Sequence, residues 1–341
     1  MKLVLDNNLV FEGKNFGSNS SISGEVVFST GMVGYPESLT DPSYKGQILI
    51  LTYPIIGNYG IPERIRWESD KIQVSGLIVS QYIDTPSHWE SKETLGKWFK
   101  TGKVPCLEIK DTRLLTKLIR TKGTMLGKII GKKDVEFYNP DKDNLVGKVS
   151  IKKPQKIGKG KKRIVLIDCG LKKNIVKSFI KRDTSVLVVP WDFDPFENNI
   201  KFEGLAISNG PGNPKLAEKT IYTVRKALKK DFPILGICLG NQILALAAGG
   251  DTYKLKFGHR SQNQPCLLKN SNRCFITTQN HGFAVGKVPK DFNMWFINAN
   301  DRTNEGIIHK SKPVMSVQFH PEATPGPYDT GWIFDYFLKF I

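Results

Sequence analysis

The chain has 341 residues, 40% hydrophobic and 10% aromatic, which is long for one compact unit and enough for two domains that each bury a core. A formal net charge of +18 raises nucleic-acid binding as a class, but the basic residues are mainly Lys spread along the chain, with no DNA- or RNA-reading motif, so no nucleic-acid partner is expected. No 18 apolar residues run together and the start, Met1-Lys2-Leu3-Val4-Leu5-Asp6, holds no readable secretory or transit signal, so neither a membrane span nor export is expected.

The first 150 residues mix short strands, at 24–28 and 46–51, with helices near 94–100 and 112–120. They read as a mixed α/β domain, residues 1–150, whose composition does not disclose a function. Residues 151–163, IKKPQKIGKGKKR, hold seven basic residues, two Gly, one Pro and no acid. Such a stretch cannot pack a core and reads as an exposed linker. Beyond it, apolar strands at 163–167, 186–189, 204–207 and 233–237 alternate with helical spacing at 174–182 and 220–229. That alternation predicts a mostly parallel, helix-covered sheet in a second α/β domain, residues 164–341. After about residue 274 the texture changes to shorter β-like runs at 275–277, 294–297 and 314–317, and an amphipathic helix at 332–341 closes the chain.

The most informative segment is Gly236-Ile237-Cys238-Leu239-Gly240, between the apolar Pro233-Ile234-Leu235 and the helix-like Gln242-Ile243-Leu244-Ala245. A strand turning sharply through small residues into a helix is a nucleophile elbow, here carrying Cys. The helix N-terminus also offers backbone N–H groups to a developing oxyanion. A lone Cys is usually a small buried hydrophobe, the plain reading for Cys106, Cys169, Cys266 and Cys274; the elbow sets Cys238 apart. The five cysteines show no CxxC pair and no metal-ligand spacing, so no metal is expected, and their odd number suits a reducing cytoplasm.

Five histidines leave few candidates for a base: His88, His259, His281, His309 and His320. His320-Pro321-Glu322 follows the strand at 314–319, placing an imidazole at a sheet edge beside a carboxylate able to hold its tautomer. Without Cys238, Glu322 would read as a solvated loop carboxylate. Ser208-Asn209-Gly210-Pro211-Gly212-Asn213-Pro214 is either a plain turn or a loop in which Gly210 brings its N–H to an oxyanion beside that of Leu239. Gln279-Asn280-His281-Gly282-Phe283 is either a hairpin turn or a substrate-binding loop.

Together these residues resemble a class I, triad-type glutamine amidotransferase domain. The whole chain is similar to the small, glutamine-hydrolysing subunits of carbamoyl phosphate synthetases. More specific than the elbow and the His-Pro-Glu are Gly24-Glu25-Val26-Val27-Phe28, Gly34-Tyr35-Pro36-Glu37-Ser38-Leu39-Thr40-Asp41-Pro42-Ser43-Tyr44, Leu51-Thr52-Tyr53-Pro54-Ile55-Ile56-Gly57-Asn58, Asp111-Thr112-Arg113, and Gln279-Asn280-His281-Gly282-Phe283-Ala284-Val285 with Pro321-Glu322-Ala323-Thr324-Pro325-Gly326-Pro327. The resemblance implies an N-terminal α/β domain peculiar to these subunits, followed by the amidotransferase domain. It implies Cys238 as nucleophile, His320 as base and Glu322 as its partner. Glutamine would be held by Ser43, Gly210, Gly212, Leu239, Gln242, Asn280, Gly282 and Phe283. No phosphate-binding loop is readable, so no cofactor is expected in this chain. By resemblance, ATP, Mg and bicarbonate belong to a large partner subunit that receives ammonia and makes carbamoyl phosphate for pyrimidine and arginine synthesis. Two departures from the family stand out: Asn241 stands where His is usual, and Arg260-Ser261-Gln262-Asn263-Gln264-Pro265 replaces a His-Gly-Gly-Asn-His-Pro stretch. Other readings are a non-catalytic scaffold for the large subunit and the glutaminase subunit of an anthranilate or purine enzyme.

Overall fold

The computed structural model describes residues 1–341, and the chain divides into two compact units, Met1–Asp143 and Asn144–Ile341. In the first, an eight-stranded sheet runs in the order Val10–Glu12, Lys2–Leu5, Met125–Ile130, Ile22–Ser29, Gln47–Leu51, Gly76–Val79, Cys106–Glu108, Lys14–Asn15. The four strands from Ile22–Ser29 to Cys106–Glu108 are mutually parallel, and the outer pairings are antiparallel. Position in the sheet explains the residue pattern. Ile48, Leu49 and Ile50, in a central parallel strand, are all fully buried, whereas Met125–Ile130 alternates buried and half-buried residues. The helix Thr112–Lys122 starts where the Asp111 side chain accepts the Leu114 N–H at 2.8 Å, and ends at Gly123, whose φ of 102° suits glycine. Trp67, Trp98 and Phe99 anchor this unit's core.

The second unit is built on a ten-stranded sheet in the order Gln155–Ile157, Thr184–Pro190, Lys162–Asp168, Gly204–Ile207, Ile234–Ile237, Val314–Val317, Asn304–His309, Phe292–Asn298, Asp251–Leu268, Cys274–Lys287. The five strands from Thr184–Pro190 to Val314–Val317 are parallel; the rest pair antiparallel. In the central strand Lys162–Asp168, Ile164 and Leu166 pack toward Lys173–Ile180 and Trp332–Leu338, where Phe179 meets Phe334 and Phe337 edge-on. Val165 and Ile167 pack on the other face, with Val224 and Ala227 of Glu218–Lys229 and Leu239, Ile243 and Leu244 of Leu239–Ala247. Both faces are therefore covered, which is why these strands are apolar throughout. No helix is long and apolar enough to cross a membrane.

Three segments differ from the sequence expectation. Within 151–163, residues Gln155–Ile157 form an edge strand paired antiparallel with Thr184–Pro190, and the division between the units falls earlier, after Asp143. All three side chains of that strand are exposed, so its charge stays in water while its backbone extends the sheet. The helix Leu145–Val149, assigned to the first domain by composition, buries Leu145 and Val146 within the second unit. The long strand Asp251–Leu268 also went unrecognised, since bulges and polar residues break its alternation.

Candidate active site

The elbow is fixed by backbone packing. Cys238 ends the strand Ile234–Ile237 and caps the helix Leu239–Ala247 at φ 56° and ψ −102°, a conformation that costs a non-glycine residue about 1–3 kcal/mol. Its N–H donates to the Val317 carbonyl at 2.9 Å, tying the turn to the neighbouring strand. The glycines on either side permit the sharp turn. A Cβ on Gly236 would lie 2.5 Å from the Gly240 carbonyl oxygen, and one on Gly240 would lie 2.3 Å from the Ile207 oxygen.

The Cys238 thiol donates to the Asn280 carbonyl at 3.6 Å. His320, which follows the strand Val314–Val317 by a short buried segment, is fixed by its backbone N–H donating to the Thr278 carbonyl at 2.9 Å. His320 Nδ1 donates to Glu322 Oε1 at 2.7 Å, which fixes the tautomer and leaves Nε2 without a hydrogen bond. Glu322 Oε1 also takes an ion pair from Lys172 Nζ at 2.9 Å, and Lys172 Nζ donates to the Ala323 carbonyl at 2.8 Å. The Asn174 amide holds the Glu322 carbonyl. Lys172, His320 and Glu322 are each at most 3% exposed.

Electrostatics follow from that burial. Desolvation opposes charge on His320, but Glu322 and then the Cys238 sulfur outweigh it, so the imidazole is pushed above its ordinary value. Desolvation likewise opposes the Glu322 carboxylate, and Lys172, then His320, hold it below the usual carboxylate range. A proton on His320 is thus stabilised next to a sulfur.

Of the other residues expected at the site, Gly210 packs against the elbow: a Cβ there would lie 2.1 Å from the Cys169 oxygen and 2.7 Å from Leu239 Cδ2. Only glycine lets the 208–214 loop approach this closely. Gly212, at φ 82°, lies further along the same loop. Gln242 Nε2 donates to the Phe283 carbonyl at 2.8 Å and to Gln318 Oε1 at 3.1 Å, binding the elbow helix to the 279–283 segment. That segment is a continuous part of the strand Cys274–Lys287, not a turn, and Gly282 faces the buried Arg260 guanidinium. Ser43 belongs to the first unit, in the short 3-10 turn Pro42–Tyr44, its N–H donated to Asp41 Oδ1 at 2.9 Å.

Asn241 is a buried tie between elbow and sheet: Ser316 Oγ donates to its Oδ1 at 2.8 Å, and its Nδ2 donates to Gln318 Oε1 at 3.1 Å. Sequence reasoning missed Lys172, Asn174 and Gln318. In a chain with 50 Lys and Arg, one more Lys carries no signal; only its burial does.

Cys, His and carboxylate on such an elbow, in an α/β sheet, define a class. Residues 165–340 match the family model "Glutamine amidotransferase class-I". Residues 3–129 match "Carbamoyl-phosphate synthase small chain, CPSase domain", and the chain belongs to the carbamoyl-phosphate synthase small chain family. It is 45% identical to the arginine-specific carbamoyl phosphate synthase small chain of Saccharomyces cerevisiae, over 99% of this chain and 87% of that one. It is 50% identical to the multifunctional protein CAD of Squalus acanthias, over 99% of this chain and 16% of that one. With the mitochondrial carbamoyl-phosphate synthase (ammonia) of Homo sapiens the identity is 47%, over 99% of this chain and 23% of that one. The chain therefore spans less than a quarter of these two long relatives, and most of the small chain.

Proposed function

We propose that this chain hydrolyses L-glutamine and passes the ammonia to a large ATP-dependent subunit that makes carbamoyl phosphate. The observation that carries the reading is the buried run Lys172–Glu322–His320 next to a thiol on a strained elbow. In the proposed cycle His320 Nε2 accepts the Cys238 proton as the sulfur attacks the side-chain amide carbon of glutamine. The oxyanion is met by the N–H groups of Gly210 and Leu239. His320 returns the proton to the departing nitrogen, and ammonia leaves. Water then loses a proton to His320 and attacks the γ-glutamyl thioester, releasing glutamate and the thiol. Gly212, Gln242, Asn280, Gly282 and Phe283 hold the glutamine.

No step in this half-reaction requires a metal or nucleotide. ATP, Mg and bicarbonate would be handled by the large subunit, with the product feeding pyrimidine and arginine synthesis. Free thiols at all five cysteines suit a reducing cytoplasm, which is part of this proposal. The scaffold reading loses its motive at Asn241, whose amide nitrogen and oxygen each make a buried packing contact.

The test is reconstitution with a large subunit, comparing glutamine with ammonia as nitrogen donor. Cys238→Ser should lower glutamine-dependent carbamoyl phosphate synthesis by at least about 1,000-fold and leave ammonia-dependent synthesis intact. Undiminished glutamine use by that variant removes Cys238 as nucleophile. A chorismate- or purine-dependent product would assign the chain to another amidotransferase.

A further inference from the structure

Beneath the 279–283 segment lies a second group of chemistry-bearing side chains. His259 and His281 face each other across the hairpin Asp251–Leu268/Cys274–Lys287, with ring centroids 4.9 Å apart and edge to face. Glu305, fully buried, reaches them from the strand Asn304–His309. One donor atom from each of the three lies within 4.8 Å of the others.

Each residue is held from behind. His259 Nε2 donates to Asp301 Oδ2 at 2.8 Å, and His281 Nδ1 donates to the Phe283 carbonyl at 2.8 Å. Asn298 Nδ2 donates to Glu305 Oε1 at 3.1 Å. Glu305 Oε2 is buried with no hydrogen bond, and His259 Nδ1 sits 3.3 Å from Glu305 Oε1, at ion-pair distance. His281 faces the Phe283 carbonyl at Nδ1 and Gln279 Oε1, 3.1 Å away, at Nε2, so a neutral ring turns one lone pair toward an acceptor. The Gln279 amide cannot simply be reversed, because its Nε2 donates to Thr277 Oγ1 at 3.1 Å and to Cys266 Sγ at 3.3 Å. The ligand atoms of the three side chains converge here, while the opposite edges carry the carboxylate, carbonyl and amide that orient metal ligands elsewhere.

We propose that His259, His281 and Glu305 bind a zinc-class divalent ion, separate from the thiol chemistry. Two imidazoles and a carboxylate, with a fourth position left for water, form a common set for such an ion. Around a tetrahedral ion the ligand atoms stand about 3.4 Å apart, so their separations shrink by up to about 1.4 Å on loading. The ion would pin the strand whose Asn280 carbonyl accepts a hydrogen bond from the Cys238 thiol and whose Phe283 carbonyl accepts one from Gln242. Loading would therefore stiffen the glutamine-holding edge.

Titration of full-length Cys238→Ser protein with Co2+ as a spectroscopic probe tests this, since the variant removes the nucleophilic thiol as a competing ligand. One equivalent should bind with the visible bands of a tetrahedral nitrogen and oxygen site, without a thiolate charge-transfer band. Glu305→Gln and His259→Gln should each weaken binding at least about 100-fold, and Asp301→Asn, at a part-exposed carboxylate, about 10- to 100-fold. Zn2+ should displace the Co2+ and raise the thermal midpoint of the Cys238→Ser protein but not of the Glu305→Gln variant. No uptake by folded Cys238→Ser protein, a thiolate band, or affinity unchanged in Asp301→Asn or Glu305→Gln would each overturn the site.

Discussion

Replacing Lys172 with Met tests the electrostatics of the candidate site through a residue outside its Cys–His pair. Lys172 Nζ and His320 Nδ1 both hold Glu322 Oε1, at 2.9 and 2.7 Å, so the cation and the ring nitrogen are at most about 5.6 Å apart. At an effective dielectric of about 20, that separation corresponds to roughly 3 kcal/mol of repulsion between Lys172 and a proton on His320, or ~2 pH units. Lys172 lowers the His320 pKa, so its removal raises it further. The Glu322 carboxyl also rises, but from well below its ordinary value, and stays ionised while His320 is charged. The acidic limb of glutaminase kcat/KM, followed by glutamate release, should therefore move up by as much as ~2 pH units. Activity at pH 7 should fall by up to about 100-fold and recover at alkaline pH. Breaking a buried pair also costs about 3–5 kcal/mol of stability, so the profile is compared with a thermal melt of the same sample. A folded Lys172→Met protein with an unmoved pH profile refutes the electrostatic coupling.

Gly240→Ala should destabilise the second unit by about 1–3 kcal/mol, measured by urea unfolding, because its Cβ would enter the Ile207 carbonyl at 2.3 Å. Glutaminase activity should fall further than the loss of folded protein explains, since Cys238 moves with the turn. Gln242→Ala removes the donor to the Phe283 carbonyl and should raise KM for glutamine about 10-fold, with kcat changed much less. An equal fall in kcat would instead place Gln242 in the chemical step.

Much of the second unit was legible because its parallel strands are apolar throughout and its elbow requires glycine at two fixed positions, Gly236 and Gly240. Cys238, His320 and Glu322 could be named from the chain because each stands just beyond a recognisable strand. The hairpin carrying His259 and His281 was hidden for the opposite reason. Its bulges break the two-residue alternation, and Glu305 joins it only through sheet order. Gln155–Ile157 escaped notice because backbone pairing, not side-chain burial, makes it a strand. Lys172 escaped because charge in a sequence says nothing about depth.

The backbone at Cys238 carries one more consequence. At φ 56° and ψ −102° the wild-type side chain sits where glycine would rest more easily. On the proposed role of Cys238, the chain gives up cohesion to present its sulfur, a trade between durability and reactivity. Selection for robustness alone would drift this position toward glycine, so ranking variants by melting temperature would favour protein without the proposed nucleophile.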